Sequence, residues 1–136
     1  MSRPEVAARV ALEASVSPSE DPAKVAEALR SVAGGPRGEE RSSAVSASLV
    51  TEATEALTHI REQLRDRHIR SAARRLLLLG RTRDTASLML NRQAAAAGVV
   101  ALCGSPEESP LGPIYLKLES EDLDAVVDWL TAYSEG

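Results

Sequence analysis

The stretch TASLMLNRQAAAAGVVALCGSPEESPLGPIYLKLE, residues 85–119, decides the fold. It opens on alternation, with Ala86, Leu88 and Leu90 on one side, the period-2 pattern of a strand with one buried face. Residues 93–97 are Ala-rich and make a helical turn that Gly98 ends. Residues 99–103, VVALC, form a short apolar run that reads as a second strand, and residues 105–110, SPEESP, form a polar loop. Ile114, Leu116 and Leu118 then alternate with Tyr115, Lys117 and Glu119 as a third strand. Consecutive short strands favour antiparallel pairing, hence an α+β fold rather than a doubly wound one.

Upstream, Val6, Ala8, Val10, Leu12, Ala14 and Val16 alternate until Pro18, which predicts a half-buried strand. Ser19-Glu20-Asp21-Pro22 combines capping oxygens, acids and an early proline, the signals of a helix start. Val25, Ala28, Leu29 and Val32 give that helix its apolar face, and Gly34-Gly35-Pro36-Arg37-Gly38 ends it in a loop. A weaker strand follows, with Val45, Ala47 and Leu49 on one face.

Residues 54–79 are helical but carry two stripes: Leu57, Ile60 and Leu64, then Ile69, Ala72, Ala73 and Leu76. At about 100° per residue the second is rotated by more than a quarter turn from the first, so a break is expected near Asp66. Gly80 caps the second half. Downstream, Ser120 caps a final helix with Glu121 and Asp122 in its first turn and Leu123, Val126, Val127 and Leu130 on its apolar face. The expected architecture is one α+β domain over residues 1–136. Its order is strand, helix, strand, broken helix, three strands, helix, in a mostly antiparallel sheet with helices on one face. The other face is left open or used for self-association.

At 136 residues with 43% hydrophobic and 26% charged, the chain has the composition of a globular domain that buries a core. A single Cys excludes an intrachain disulfide and points to a reducing compartment. The apolar runs are too short for a membrane span. The opening MSRPEVAARV has no apolar region of a signal peptide, so a cytoplasmic location is expected. Phe is absent, and Tyr115, Trp129 and Tyr133 are the only aromatics.

Catalytic constellations are missing. The Gly34 loop lacks the Gly-Lys-Ser/Thr ending of a phosphate loop. His59 and His68 do not share a helix face, and Cys103 has no companion thiol, so neither a metal nor another cofactor is expected. Cys103 in an apolar strand reads as a small core residue. The acid pairs Glu20/Asp21, Glu39/Glu40 and Glu107/Glu108 lie in loops or helix starts, where they cap or solvate. The expectation is a protein without enzymatic activity.

Charge is distributed unevenly. Residues 61–92 balance at +6, against −10 for the rest and −4 overall. An acidic chain with one basic segment has a place for a polyanion. Arg67, Arg70 and Arg74 fall at i, i+3 and i+7, over about 10 Å of helix. Arg81 and Arg83 continue the charge past Gly80, and Arg92 can return to it. The planar guanidinium suits phosphate because it donates two parallel hydrogen bonds. Two other readings stay open: a solvated face, or intramolecular pairing with acids elsewhere in the chain. Tyr115, facing outward, is the one plausible stacking platform, so backbone and shape recognition of structured, sequence-tolerant RNA fits better than single-strand reading.

SEDPAKV after an alternating strand, then HIRSAARRLL, LNRQAAAAG, PLGPI and a closing DWL occur in this order. Together they resemble an archaeal family of uncharacterised small proteins, described as predicted RNA-binding or exosome-associated. The resemblance runs over residues 10–130, nearly the whole chain. It implies a fold like that of the large-subunit ribosomal protein that binds 5S RNA, and RNA or an RNA-processing complex as partner. By resemblance the signature positions are Pro18, Glu20 and Asp21; Arg74; Asn91, Gln93, Ala94, Ala95 and Gly98; and Pro110, Leu111, Gly112 and Ile114. The chain departs from the family where an aromatic often precedes LNRQAA; here it reads Ser87-Leu88-Met89.

Asn91 is expected to cap its turn, while Gln93 can either satisfy backbone groups or face RNA. The expected RNA-binding set is Arg67, Arg70, Arg74, Arg81, Arg83, Arg92 and Gln93. The alternative is a protein-interaction module that self-associates, as in a homodimer, or docks on a larger assembly, its arginines meeting an acidic surface.

Overall fold

In this computed structural model the described residues are 8–35 and 38–131. The strands are β1 (Arg9–Ser15), β2 (Glu39–Ser42), β3 (Ser46–Thr51), β4 (Thr85–Leu90), β5 (Leu102–Cys103) and β6 (Ile114–Glu119). The helices are α1 (Pro22–Ala33), α2 (Thr54–Asp66), α3 (Arg70–Leu79), α4 (Arg92–Ala96) and α5 (Leu123–Thr131). The strands form one sheet in the order β2-β3-β1-β6-β4-β5, every neighbouring pair antiparallel. The fold is α+β, and its element order follows the sequence pattern closely.

The alternation explains the layers. Leu12 stands opposite Leu49 on one side and Leu116 on the other, and Leu116 opposite Leu88. This row of leucines crosses four strands and is buried under the helices. Val25, Leu29 and Val32 of α1, Leu57, Ile60 and Leu64 of α2, Ala73 and Leu77 of α3, and Leu123, Val126, Val127 and Leu130 of α5 complete one core. Each buried Leu or Val contributes about 1.5–3 kcal/mol, so a core without Phe is assembled from many aliphatic side chains. On the opposite face Glu13, Ser15, Ser87, Tyr115 and Lys117 are exposed.

The break expected near Asp66 is present. Ile69 N–H donates to the Leu64 carbonyl at 3.0 Å and His68 N–H to the Arg65 carbonyl at 3.1 Å, with His68 at φ 58°. This closure usually carries glycine at the left-handed position; here it carries histidine. Buried Ala73 and Leu77, with Ile69 and Leu76 packed partly against the core, form the second stripe. Gly34 closes α1 in the same way at φ 79°, with His59 packed where a Cβ would stand.

Several boundaries differ from the sequence reading. Val6 lies outside the described residues. β2 was not expected, because EERS has no apolar alternation. Hairpin pairing with β3 holds it, together with Arg30, whose Nε donates to both Glu40 carboxylate oxygens at 2.9 and 3.0 Å. Val45 is 70% exposed rather than inward, since it sits in the hairpin turn and the inward positions of β3 are Ala47, Leu49 and Thr51. β5 is shorter than residues 99–103. Val99 N–H is spent on the Ala94 carbonyl and Val100 N–H on Gln63 Oε1, while the Ala101 carbonyl accepts Asn91 N–H. At α5, Asp122 Oδ1 accepts Ala125 N–H at 3.3 Å and Ser120 Oγ accepts Asp122 N–H at 3.2 Å, so the two share the capping.

Candidate functional site

The sequence-predicted arginines fall into two environments. Arg67 is the exposed residue that ends α2, so it does not share a helix with Arg70 and Arg74, which occupy the first turns of α3. Arg74 Nη1 donates to Asp128 Oδ1 at 2.6 Å, and Arg81 Nη1 donates to Asp124 Oδ1. Asp124 and Asp128 stand one turn apart on α5, so α5 offers a pair of carboxylates to the arginines around α3. Arg83 is exposed beyond Arg81, and Arg75 is exposed on α3. Among the described residues the side chains of Arg67, Arg75 and Arg83 make no hydrogen bond or ion pair. Exposed basic groups thus flank α3 at both ends, about 15 Å apart.

The pairing reading is therefore realised for Arg74 and Arg81. Its strength is small, because Asp128 and Asp124 are 61% and 76% exposed, and pairs of that kind contribute about 0–1 kcal/mol. Arg61 takes a different role. Its Nε donates to the Trp129 carbonyl at 2.9 Å and its guanidinium lies 4.9 Å from the Trp129 ring centroid. Trp129 is half-buried and joins α5 to α2.

Arg92 belongs elsewhere. It is buried, and its Nη1 donates to both carboxylate oxygens of Glu20 at 2.6 and 2.8 Å. Arg92 Nε donates to the Gly112 carbonyl at 3.0 Å, and Arg92 N–H donates to Ser109 Oγ at 3.0 Å. Ser109 Oγ donates in turn to the Gly112 carbonyl at 3.1 Å. Arg92 Nη2 is buried without a partner. Burial alone would raise the Glu20 carboxyl; the Ser17 N–H at 2.9 Å and the Arg92 guanidinium outweigh it and hold the pKa below the usual carboxylate value. Arg92 thus ties the α1 entrance to the loop before β6 and stands apart from the exposed arginines.

Gln93 is exposed next to it on α4, and Asn91 Oδ1 accepts Ala94 N–H at 2.8 Å as the expected cap. Glu20, Asn91 and Gly112, three positions marked by the family resemblance, meet at this one end of the sheet. Sequence spacing missed the Glu20–Arg92 pair, which spans 72 positions; the signal that could have found it is that Glu20 lies in SEDPAKV and Arg92 in LNRQAAAAG.

Cys103 is buried, and burial first, then the charge of Glu108, pushes its thiol up. That keeps it protonated and a poor nucleophile. Among the described residues no group of three His, Cys, Asp or Glu side chains is placed to hold a metal ion, and no helix is long and apolar enough to cross a membrane.

No family model matches the chain. A UPF0201 protein of Sulfurisphaera tokodaii is 36% identical over 125 residues, 90% of this chain and 86% of that protein. The crystal structure of a UPF0201 protein from Methanococcus jannaschii superposes with a TM-score of 0.74 at 25% identity, over 90% of this chain and 92% of that one. A DUF54 protein from Methanothermobacter thermautotrophicus shares the fold, with a TM-score of 0.64 at 21% identity over 96% of each chain.

Proposed function

We propose that this chain, which belongs to the UPF0201 family of archaeal proteins, is a cytoplasmic RNA-binding protein without enzymatic activity. It grips phosphates of structured RNA with the arginines around α3. The observation that carries this reading is the exposure of Arg67, Arg75 and Arg83 with no carboxylate partner among the described residues. Arg74 and Arg81 join them by exchanging exposed aspartates for phosphate, since the pairs they give up are weak. Buried Arg92 supports the scaffold and takes no part in the grip.

The test is a filter-binding salt titration with a structured RNA, comparing wild type with Arg67→Gln/Arg70→Gln/Arg74→Gln. Each lost phosphate contact lowers the log–log slope by about 0.9 on duplex or about 0.7 on single strands. The loss extends over unrelated RNAs, because phosphate contacts position and do not specify. Equal affinities and slopes remove this surface from the binding site.

A second reading is favoured by the Asp124 and Asp128 pairs themselves. Arginines that already meet carboxylates also fit an acidic protein surface, including that of a second copy. A stable RNA-free complex that resists moderate salt supports it.

A further inference from the structure

On the sheet face opposite the helices, a groove of about 340 Å³ runs between Glu13, Ser15, Val45, Ser46, Pro113 and Tyr115. Glu13 and Tyr115 are cross-strand partners on β1 and β6. Tyr115 is 46% exposed, so its ring is open to serve as a platform. Proline and valine supply apolar walls, and Ser15 and Ser46 supply hydroxyls. At the Gly112 end, a Cβ on that glycine would stand 3.8 Å from both Arg92 Nη2 and Ser15 Oγ. Arg92 Nη2 is the buried donor that lacks a partner, and the bare backbone of Gly112 stands between it and the groove.

We infer that this groove takes one unstacked guanine base of an RNA. The inference rests on the RNA-binding reading and adds to it a base-specific contact on the face away from the arginines. The ligand must stack on Tyr115, donate hydrogen bonds to a carboxylate and accept them from hydroxyl groups.

Guanine offers N1–H and N2–H₂ as adjacent donors that match the two oxygens of Glu13. On the same ring O6 and N7 are acceptors for the Ser15 hydroxyl. Glu13 and Ser15 lie two residues apart on one strand face, about 7 Å, which a purine ring spans. Adenine presents an acceptor at N1 where guanine presents a donor, so it meets Glu13 with like polarity. Lys117, on the same face of β6, flanks the groove with positive charge for an adjoining phosphate, while Arg41, which stands opposite Ser48 in the row through Glu13, is paired with Glu39 at 3.2 Å. One tyrosine holds one base, in keeping with a chain that has few aromatics.

The experiment titrates the full-length ¹⁵N-labelled protein with 5′-GMP, AMP, CMP and UMP and follows amide shifts. Shifts should cluster around Glu13, Ser46 and Tyr115, with GMP binding tightest. Tyr115→Ala should weaken GMP about tenfold or more, and Tyr115→Phe should keep it. Glu13→Gln should erase the preference for GMP over AMP. Both positions are exposed, so a dispersed spectrum establishes that the variants fold.

No shift at β1 or β6, equal affinity for all four nucleotides, or a Tyr115→Ala titration matching wild type overturns the inference. A mononucleotide does not need the α3 surface, so the two readings fail separately. Loss of the Arg67/Arg70/Arg74 effect with GMP binding retained leaves the groove standing. The reverse leaves the arginine surface standing.

Discussion

Buried Arg92 and largely covered Glu20, 72 positions apart, form an ion pair in which Nη1 reaches both carboxylate oxygens at 2.6 and 2.8 Å. The pair joins the start of α1 to α4 and, through Arg92 Nε on the Gly112 carbonyl, to the loop that leads into β6. Removing one partner leaves the other charge buried and uncompensated. Glu20→Ala and Arg92→Ala should each cost about 3–5 kcal/mol, and the double replacement should cost less than the sum of the two. Urea melts of the four proteins measure the coupling; additive losses would show that the pair is not acting as a unit.

The same pair gives stability a pH dependence. Glu20 is held below its ordinary value of 4.5 in the folded chain. Its contribution is therefore complete above the unfolded-state value and is lost as pH falls from about 4.5 through the folded-state pKa. Stability profiles of wild type and Glu20→Gln between neutral pH and pH 3 should converge on the acid side. Parallel profiles would assign acid lability to other carboxylates.

At the helix break, His68 holds a left-handed backbone (φ 58°) that glycine adopts freely. His68→Gly should stabilise the chain by up to about 1 kcal/mol, the relief of left-handed strain less the added entropy of the unfolded glycine. A lower Tm for the variant would mean that the imidazole makes a contact worth more than the strain.

Val127 is buried at the centre of the α5 face. Val127→Asp should cost several kcal/mol, about 3–5, because the carboxylate has no partner there. An unchanged melting temperature would contradict the burial of the α5 face in the core.

On the proposed RNA-binding reading, Asp124 and Asp128, which pair with Arg81 and Arg74, compete with phosphate for them. Asp124→Asn/Asp128→Asn should therefore tighten RNA binding and steepen its salt dependence, by about 0.9 in slope for each added duplex phosphate contact. Folding should be little affected, since the pairs are solvent-exposed. Unchanged binding would mean that Arg74 and Arg81 lie off the RNA surface.

Local pattern determined much of this protein. The alternation at Val10, Leu12 and Ala14 and at Ile114, Leu116 and Leu118 set which faces are buried, because neighbouring strand residues must point to opposite sides. The phase change between Leu64 and Ile69 required two helices, because one straight helix cannot press both stripes on one core. The helix start at residues 19–22 and the Asn91 cap were legible because such bonds reach only two or three residues along the chain, and the structure gives the first to Asp21 Oδ1, which accepts Ala23 N–H. Tertiary structure alone decided the rest. EERS became a strand because β3 supplied its backbone partners and Arg30 its counter-charge. Val45 turned outward because the hairpin turn, rather than its hydrophobicity, set its position. Arg74 and Arg92 look alike as arginines in short helices. The fold brings an exposed aspartate to one and a largely covered glutamate to the other, and burial of the arginine is what turns a weak surface pair into a structural tie.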